Sequence, residues 1–77
     1  MVNATCKVWH DDEGWGVLAS PDVPGELFAH FSNIEAPPDR YRDLRAGEAV
    51  EIEWEPYPGG QDGYFYRVTR VVRLTHA

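Results

Sequence analysis

The sequence predicts an all-β fold of five short strands, and three observations point there. Helix-period patterning is almost absent from the 77 residues. Runs of β-branched and aromatic residues recur between clusters of Gly, Pro, Asn and Asp. One segment, Val50-Glu51-Ile52-Glu53-Trp54-Glu55, alternates apolar and acidic side chains at period two. Strands are expected over residues 5–10, 15–20, 26–30, 49–55 and 64–74. A chain of this length holds one small core, so a single domain spanning residues 1–77 is expected, its core covering about 4–74.

The first strand carries Cys6 and Lys7 on opposite sides and runs into His10-Asp11-Asp12-Glu13-Gly14, a polar run that reads as a solvated turn. Cys6 is expected to be a buried, inert thiol, because nothing basic flanks it on its own face. The second strand is apolar on both sides, with Trp15 and Val17 on one and Gly16 and Leu18 on the other. The third divides likewise into Leu27 and Ala29 against Phe28 and His30. Periodicity does not say which side points inward. Small and aliphatic residues suit the interior of a tight barrel, which leaves Trp15, Phe28 and His30 outside; the opposite arrangement, with the rings as core, stays open. Large aromatics exposed together on adjacent strands mark a binding surface.

Pro37-Pro38 is followed by a short helical turn around residues 39–44, inside a loop. The fourth strand has one buried face and one solvated acidic face. Residues 56–63, rich in Pro and Gly, read as a long connection to the fifth strand.

Composition narrows the function. Seven Lys and Arg against 13 Asp and Glu give a net charge of −6, which argues against binding nucleic acid through phosphates, where counterion release supplies the affinity. Hydrophobic content of 43% is enough for a core and excludes disorder. The one cysteine excludes an internal disulfide and any zinc site built on two or four cysteines, and it fits a reducing compartment. The longest apolar run, residues 15–19, falls far short of the roughly 20 residues of a membrane helix. Met1-Val2-Asn3-Ala4 lacks the basic-then-apolar pattern of a signal peptide. A cytoplasmic location is therefore expected, with no membrane partner. His30 has no identifiable nucleophile or orienting carboxylate, and Ser20 and Ser32 form no triad, so no enzymatic activity is expected. His10 to Glu13 lacks a converging ligand elsewhere, so no metal or cofactor is expected.

The string Gly14-Trp15-Gly16-Val17-Leu18, followed by Leu27-Phe28-Ala29-His30-Phe31-Ser32-Asn33-Ile34, resembles the bacterial cold-shock domain. That family carries K-G-F-G-F-I on its second strand and V-F-V-H-F-S-x-I on its third, within a five-stranded antiparallel OB-fold barrel. Lys7-Val8-Trp9-His10 stands where the family has K-W-F-N, Leu44 and Gly47 where it has L-x-x-G, and Arg67-Val68 where it has N-V. The resemblance implies binding of single-stranded RNA or DNA by aromatic stacking, and an RNA-chaperone role that needs no ATP. By position it implies Lys7, Trp9, Trp15, Phe28, His30, Phe31 and Tyr41 as nucleic-acid-binding residues. Arg67 joins them as a local cation on the last strand, where Arg70 and Arg73 follow.

Three departures weaken that expectation. Glu13 replaces the lysine of the second-strand motif and Val17 its second phenylalanine, and Val8 replaces the tryptophan of the first strand. Two stacking platforms and one cation are missing, which predicts binding about 2–5 kcal/mol weaker than a member that keeps them. The fifth strand is expected to approach the first, where Tyr64 or Tyr66 would offer a compensating ring, but packing beneath the Pro-Gly connection is the more ordinary fate of such rings. An alternative is a protein-interaction module that uses Trp15 and Phe28 as apolar anchors. A monomer is expected, and the long Pro-Gly connection permits a strand-exchanged dimer.

Overall fold

The computed structural model describes residues 1–36, 42–61 and 63–73. Its strands are β1 (Val2–His10), β2 (Trp15–Ala19), β3 (Leu27–His30), β4 (Ala49–Gln61) and β5 (Tyr64–Arg73). They close into a barrel in the order β1-β2-β3-β5-β4. The β1/β2, β1/β4, β2/β3 and β4/β5 pairs are antiparallel. Closure is made by a short parallel pairing, Leu27 with Tyr66 and Phe28 with Arg67. The expected five-stranded OB-fold barrel is thus present, and its closure leaves no long sheet edge to template aggregation.

The barrel is lined by Leu18, Leu27, Ala29, Val50, Ile52 and Val71, all without solvent exposure, and packed with Ala4, Cys6, Ile34, Leu44 and Val68. The small and aliphatic side of β2 and β3 is therefore the inner one. A five-stranded barrel is too narrow to take Trp15 and Phe28 alongside these residues, and this decides between the two faces that period-two patterning left open.

A bulge in β1 changes its alternation. The register steps from Cys6↔Leu18 to Val8↔Val17, leaving Lys7 as the extra residue. Cys6 points into the core, Lys7 and Val8 are exposed, and Trp9 turns back to pack against the core. Trp9 sits opposite Gly16. A Cβ at Gly16 would lie 2.3 Å from the Trp9 ring and 2.4 Å from the Val8 carbonyl oxygen, so this close approach admits only glycine.

Several sequence expectations are corrected. β4 continues to Gln61 and absorbs most of the stretch read as a connection, and Gly63 is in a turn before β5. Between Pro56↔Tyr66 and Gln61↔Tyr64 the β4 side carries the additional residues, in a wide bulge that uses Gly60 at φ +74°. The neighbours of β5 are β3 and β4, not β1. Tyr66 accordingly packs against the core, edge-on to Trp54 at 5.8 Å, and does not extend the rim of β1. The helical turn expected around 39–44 lies partly outside the described residues, and residues 42–45 have no regular secondary structure. A 3-10 turn, Phe31–Asn33, follows β3 instead.

The acidic face of β4 is not simply solvated. Glu55 pairs with Arg67, and Glu53 lies 4.0 Å from Arg70, across the β4/β5 ladder. The same pleat that separates apolar from acidic residues on β4 brings those acids opposite the arginines of β5.

Candidate functional site

The outer face of β1, β2 and β3 carries a row of rings. His10 is the cross-strand partner of Trp15, and Trp15 of His30. The Trp15 indole touches a ring on each side, His10 at 4.5 Å between centroids and Phe28 at 5.2 Å. The contact with Phe28 is a stack, with the planes 16° apart, and Phe28 is left only 7% exposed. Phe31 is 43% exposed at the start of the 3-10 turn and lies 4.5 Å from His30.

The turns that flank β2 and β3 orient these rings. Glu13 and Gly14 both donate backbone hydrogen bonds to the His10 carbonyl, at 3.0 and 2.8 Å. Gly14 has φ +76°, and the Phe31 ring lies over it where a Cβ would stand. The Phe31 amide also donates to the Gly14 carbonyl at 2.8 Å, tying the two turns together. His30 Nδ1 accepts the Ser32 amide proton at 3.3 Å and lies 2.8 Å from Ser32 Oγ. The neutral ring therefore carries its proton on Nε2, away from the turn. Asn33 Oδ1 accepts from the His30 amide at 3.3 Å, which fixes the other end of the cap.

Acids hold the polar groups of this face. Trp15 Nε1 donates to Glu13 Oε1 at 2.9 Å. Arg67 donates through Nε to Glu55 Oε2 at 2.6 Å, and its guanidinium lies 4.8 Å from the centre of the Tyr57 ring. Arg70 is bidentate on Glu35, at 2.5 and 3.1 Å. That pair holds the Glu35 carboxyl below the ordinary glutamate range and raises the arginine, the hydrogen bond being the larger cause in both. Arg73 binds Glu48 at 2.9 Å and the Asp43 carbonyl. Lys7 makes no ion pair among the described residues and stands exposed at the β1 bulge.

The structure thus gathers Trp15, Phe28, His30 and Phe31 on one outer face. Arg67 is beside it, since it pairs with Phe28 and shares with Phe28, His30 and Asn33 the lining of a shallow groove between β3 and β5. Lys7 is on β1. Trp9 is set apart, with its ring against the core. Tyr41 lies outside the described residues. The sequence placed Glu13 at this surface only as the loss of a cation, not as the partner of the Trp15 indole, and it did not point to Glu55 or Tyr57. Glu55 comes to Arg67 as its cross-strand partner after the register shift between Glu53 and Trp54, and Tyr57 lies at the start of the wide β4 bulge. Cys6 is buried, and desolvation, followed by the charge of Glu48, raises its thiol pKa against the opposing effect of its hydrogen bond to the Val8 carbonyl.

A closed five-stranded barrel of this strand order, with a ring-bearing outer face across β1 to β3, defines an OB-fold protein of cold-shock type. Curated relatives agree. The chain is 35% identical to the cold shock-like protein CspD of Vibrio cholerae over 60 residues, 78% of this chain and 76% of the relative. It is 36% identical to the cold shock protein ScoF of Streptomyces coelicolor over 53 residues, 69% of this chain and 76% of the relative. It is 30% identical to the major cold shock protein of Micrococcus luteus over 60 residues, 78% and 87% of the two chains. No protein-family model matches the chain. The chain belongs to the cold-shock protein family.

Proposed function

We propose that this protein binds single-stranded RNA or DNA by stacking bases on the outer face of β1 to β3, without catalysis, and thereby holds unpaired segments open in the manner of an RNA chaperone in the cytoplasm. The observation that carries the reading is the row of rings formed by His10, Trp15 and Phe28, continued by His30 and Phe31. Aromatic faces give each base a dehydrated partner without reading its identity, at about 1–3 kcal/mol per base. Binding led by stacking tolerates an acidic protein, because cations are needed only locally.

Affinity is reduced relative to a member with the full set of rings, for reasons legible on the face itself. Val8 and Val17 form an aliphatic pair in the middle of the sheet. Phe28 is covered by Trp15, so a base reaches it only if the indole swings aside. Arg67 is already engaged by Glu55. Lys7, Trp15, His30 and Phe31 are the first groups a strand meets; Phe28 and Arg67 follow when their partners yield. Trp9 supports the sheet from behind. The protein acts as a monomer on this reading.

The test is a titration with a thymine-rich heptamer at two salt concentrations, followed by tryptophan fluorescence. Saturable quenching in the micromolar range with a shallow salt dependence is expected, and Trp15→Ala should weaken it by about 10- to 100-fold. Absence of binding to both thymine-rich DNA and uracil-rich RNA would sink the reading. The carboxylates of Glu13 and Glu55 beside Trp15 and Arg67 favour one rival, a protein partner docking on Trp15. An oligonucleotide that fails to compete with such a partner would support it.

A further inference from the structure

We propose that Glu13 selects the base at this site: the carboxylate it holds at the rim of Trp15 accepts hydrogen bonds from a guanine stacked on the indole and disfavours the other bases there. The inference rests on the single-strand-binding reading above and names its specificity.

The geometry begins in the turn. Two hydrogen bonds to the His10 carbonyl close the chain so that residue 13 stands beside the first residue of β2. Trp15 Nε1 then donates to Glu13 Oε1 at 2.9 Å. An indole N–H points within the plane of its ring, so the carboxylate it holds lies at the ring's rim and not over its face. A base stacked parallel to the indole presents its edge at that rim.

What a carboxylate can do at that place is restricted. It offers only acceptors, with about four lone-pair sites on two oxygens, and one of these is taken by Trp15. Guanine presents two adjacent donors on its Watson–Crick edge, N1–H and the exocyclic amine, and both converge on the carboxylate oxygen that Trp15 leaves free, with the charge strengthening both bonds. Adenine and cytosine present one exocyclic amine next to an acceptor. Thymine and uracil present one N–H between two carbonyl oxygens, which the carboxylate repels. Glu13 also repels phosphate, so the strand's backbone is kept off this rim and the base is turned edge-inward.

The experiment is direct binding, by fluorescence anisotropy, of labelled thymine heptamers carrying one central guanine, adenine or hypoxanthine. Adenine matches guanine in ring size, so a difference between the two does not come from stacking area. Hypoxanthine keeps N1–H and lacks the amine. The guanine heptamer is expected to bind about 5- to 10-fold more tightly than the adenine one, with hypoxanthine between them. In Glu13→Ala the guanine and adenine heptamers should bind within about twofold of each other. Glu13 is exposed in a turn, so the variant should fold, and an unchanged melting curve checks this. Equal binding of guanine and adenine by the wild type overturns the proposal, as does a preference that survives in Glu13→Ala. If neither protein binds any heptamer, the single-strand reading falls and this inference with it.

Discussion

Arg67 and Glu55 face each other across β4 and β5 at 2.5 Å, and this pair removes the arginine nearest to Phe28 from service as a free phosphate contact. On the proposed reading, a strand that stacks on the neighbouring rings must compete with a carboxylate already in place. Glu55→Gln releases the guanidinium while leaving Tyr57 beneath it. Tighter oligonucleotide binding is expected, with the slope of log affinity against log salt steeper by about 0.7 for one added phosphate contact. The two side chains are each 43% exposed, so the loss of the ion pair should lower stability by no more than about 1 kcal/mol. Affinities measured at several salt concentrations check this; an unchanged slope would remove Arg67 from the interface.

Gly16 makes the face possible by letting Trp9 lie against the back of β2. In Gly16→Ala the new methyl group would meet the Val8 carbonyl as well as the Trp9 ring, and backbone cannot move aside as a flexible side chain can. A destabilisation of about 1–3 kcal/mol is expected. In a domain of this size each of those kcal/mol lowers the melting temperature by about 4–8 °C. Thermal melts followed by far-UV circular dichroism read it, and an unchanged melting temperature would contradict the close approach.

Cys6 lies in the barrel interior, and its raised pKa leaves little thiolate at neutral pH. Alkylation by iodoacetamide in native buffer should be slow, and should accelerate in step with unfolding as urea is added. Fast modification of the folded protein would show that β1 opens locally near its bulge.

The Glu35–Arg70 pair gives a small pH dependence of defined sign. Its folded-state carboxyl pKa is lowered by the arginine. The contribution is therefore complete above the ordinary glutamate range and is lost as pH falls through the lowered value. Carboxyl chemical shifts followed across the acid range should show Glu35 titrating below the ordinary glutamate range, and Arg70→Ala should return it to that range. A Glu35 midpoint unaffected by Arg70→Ala would mean that the two are not paired in solution.

Much of the barrel was legible in residue order. Val50, Ile52 and Trp54 alternate with acids because one side of β4 meets the core, and that pattern survives any uncertainty about neighbours. The spacing of Gly14, Trp15 and Gly16 from Phe28, His30 and Phe31 marked the family and the ring-bearing strands. The strand ends were less legible, because β4 runs on through a Pro-Gly stretch that local preference assigns to a loop. The pairings at its two ends, Pro56 with Tyr66 and Gln61 with Tyr64, carry the strand through that stretch as a bulge.

By itself, the sequence determined the strand count, the family and the rings that the strands carry, since these depend on residue types and on short-range periodicity. The tertiary structure decided which side of those strands faces outward, because only the diameter of the closed barrel excludes Trp15 and Phe28 from its interior. It also turned Trp9 inward through a one-residue bulge at Lys7 and placed Glu55 against Arg67 across a register shift. Both outcomes depend on strand register, which is set by pairing between segments distant in the chain and leaves no mark on either segment alone.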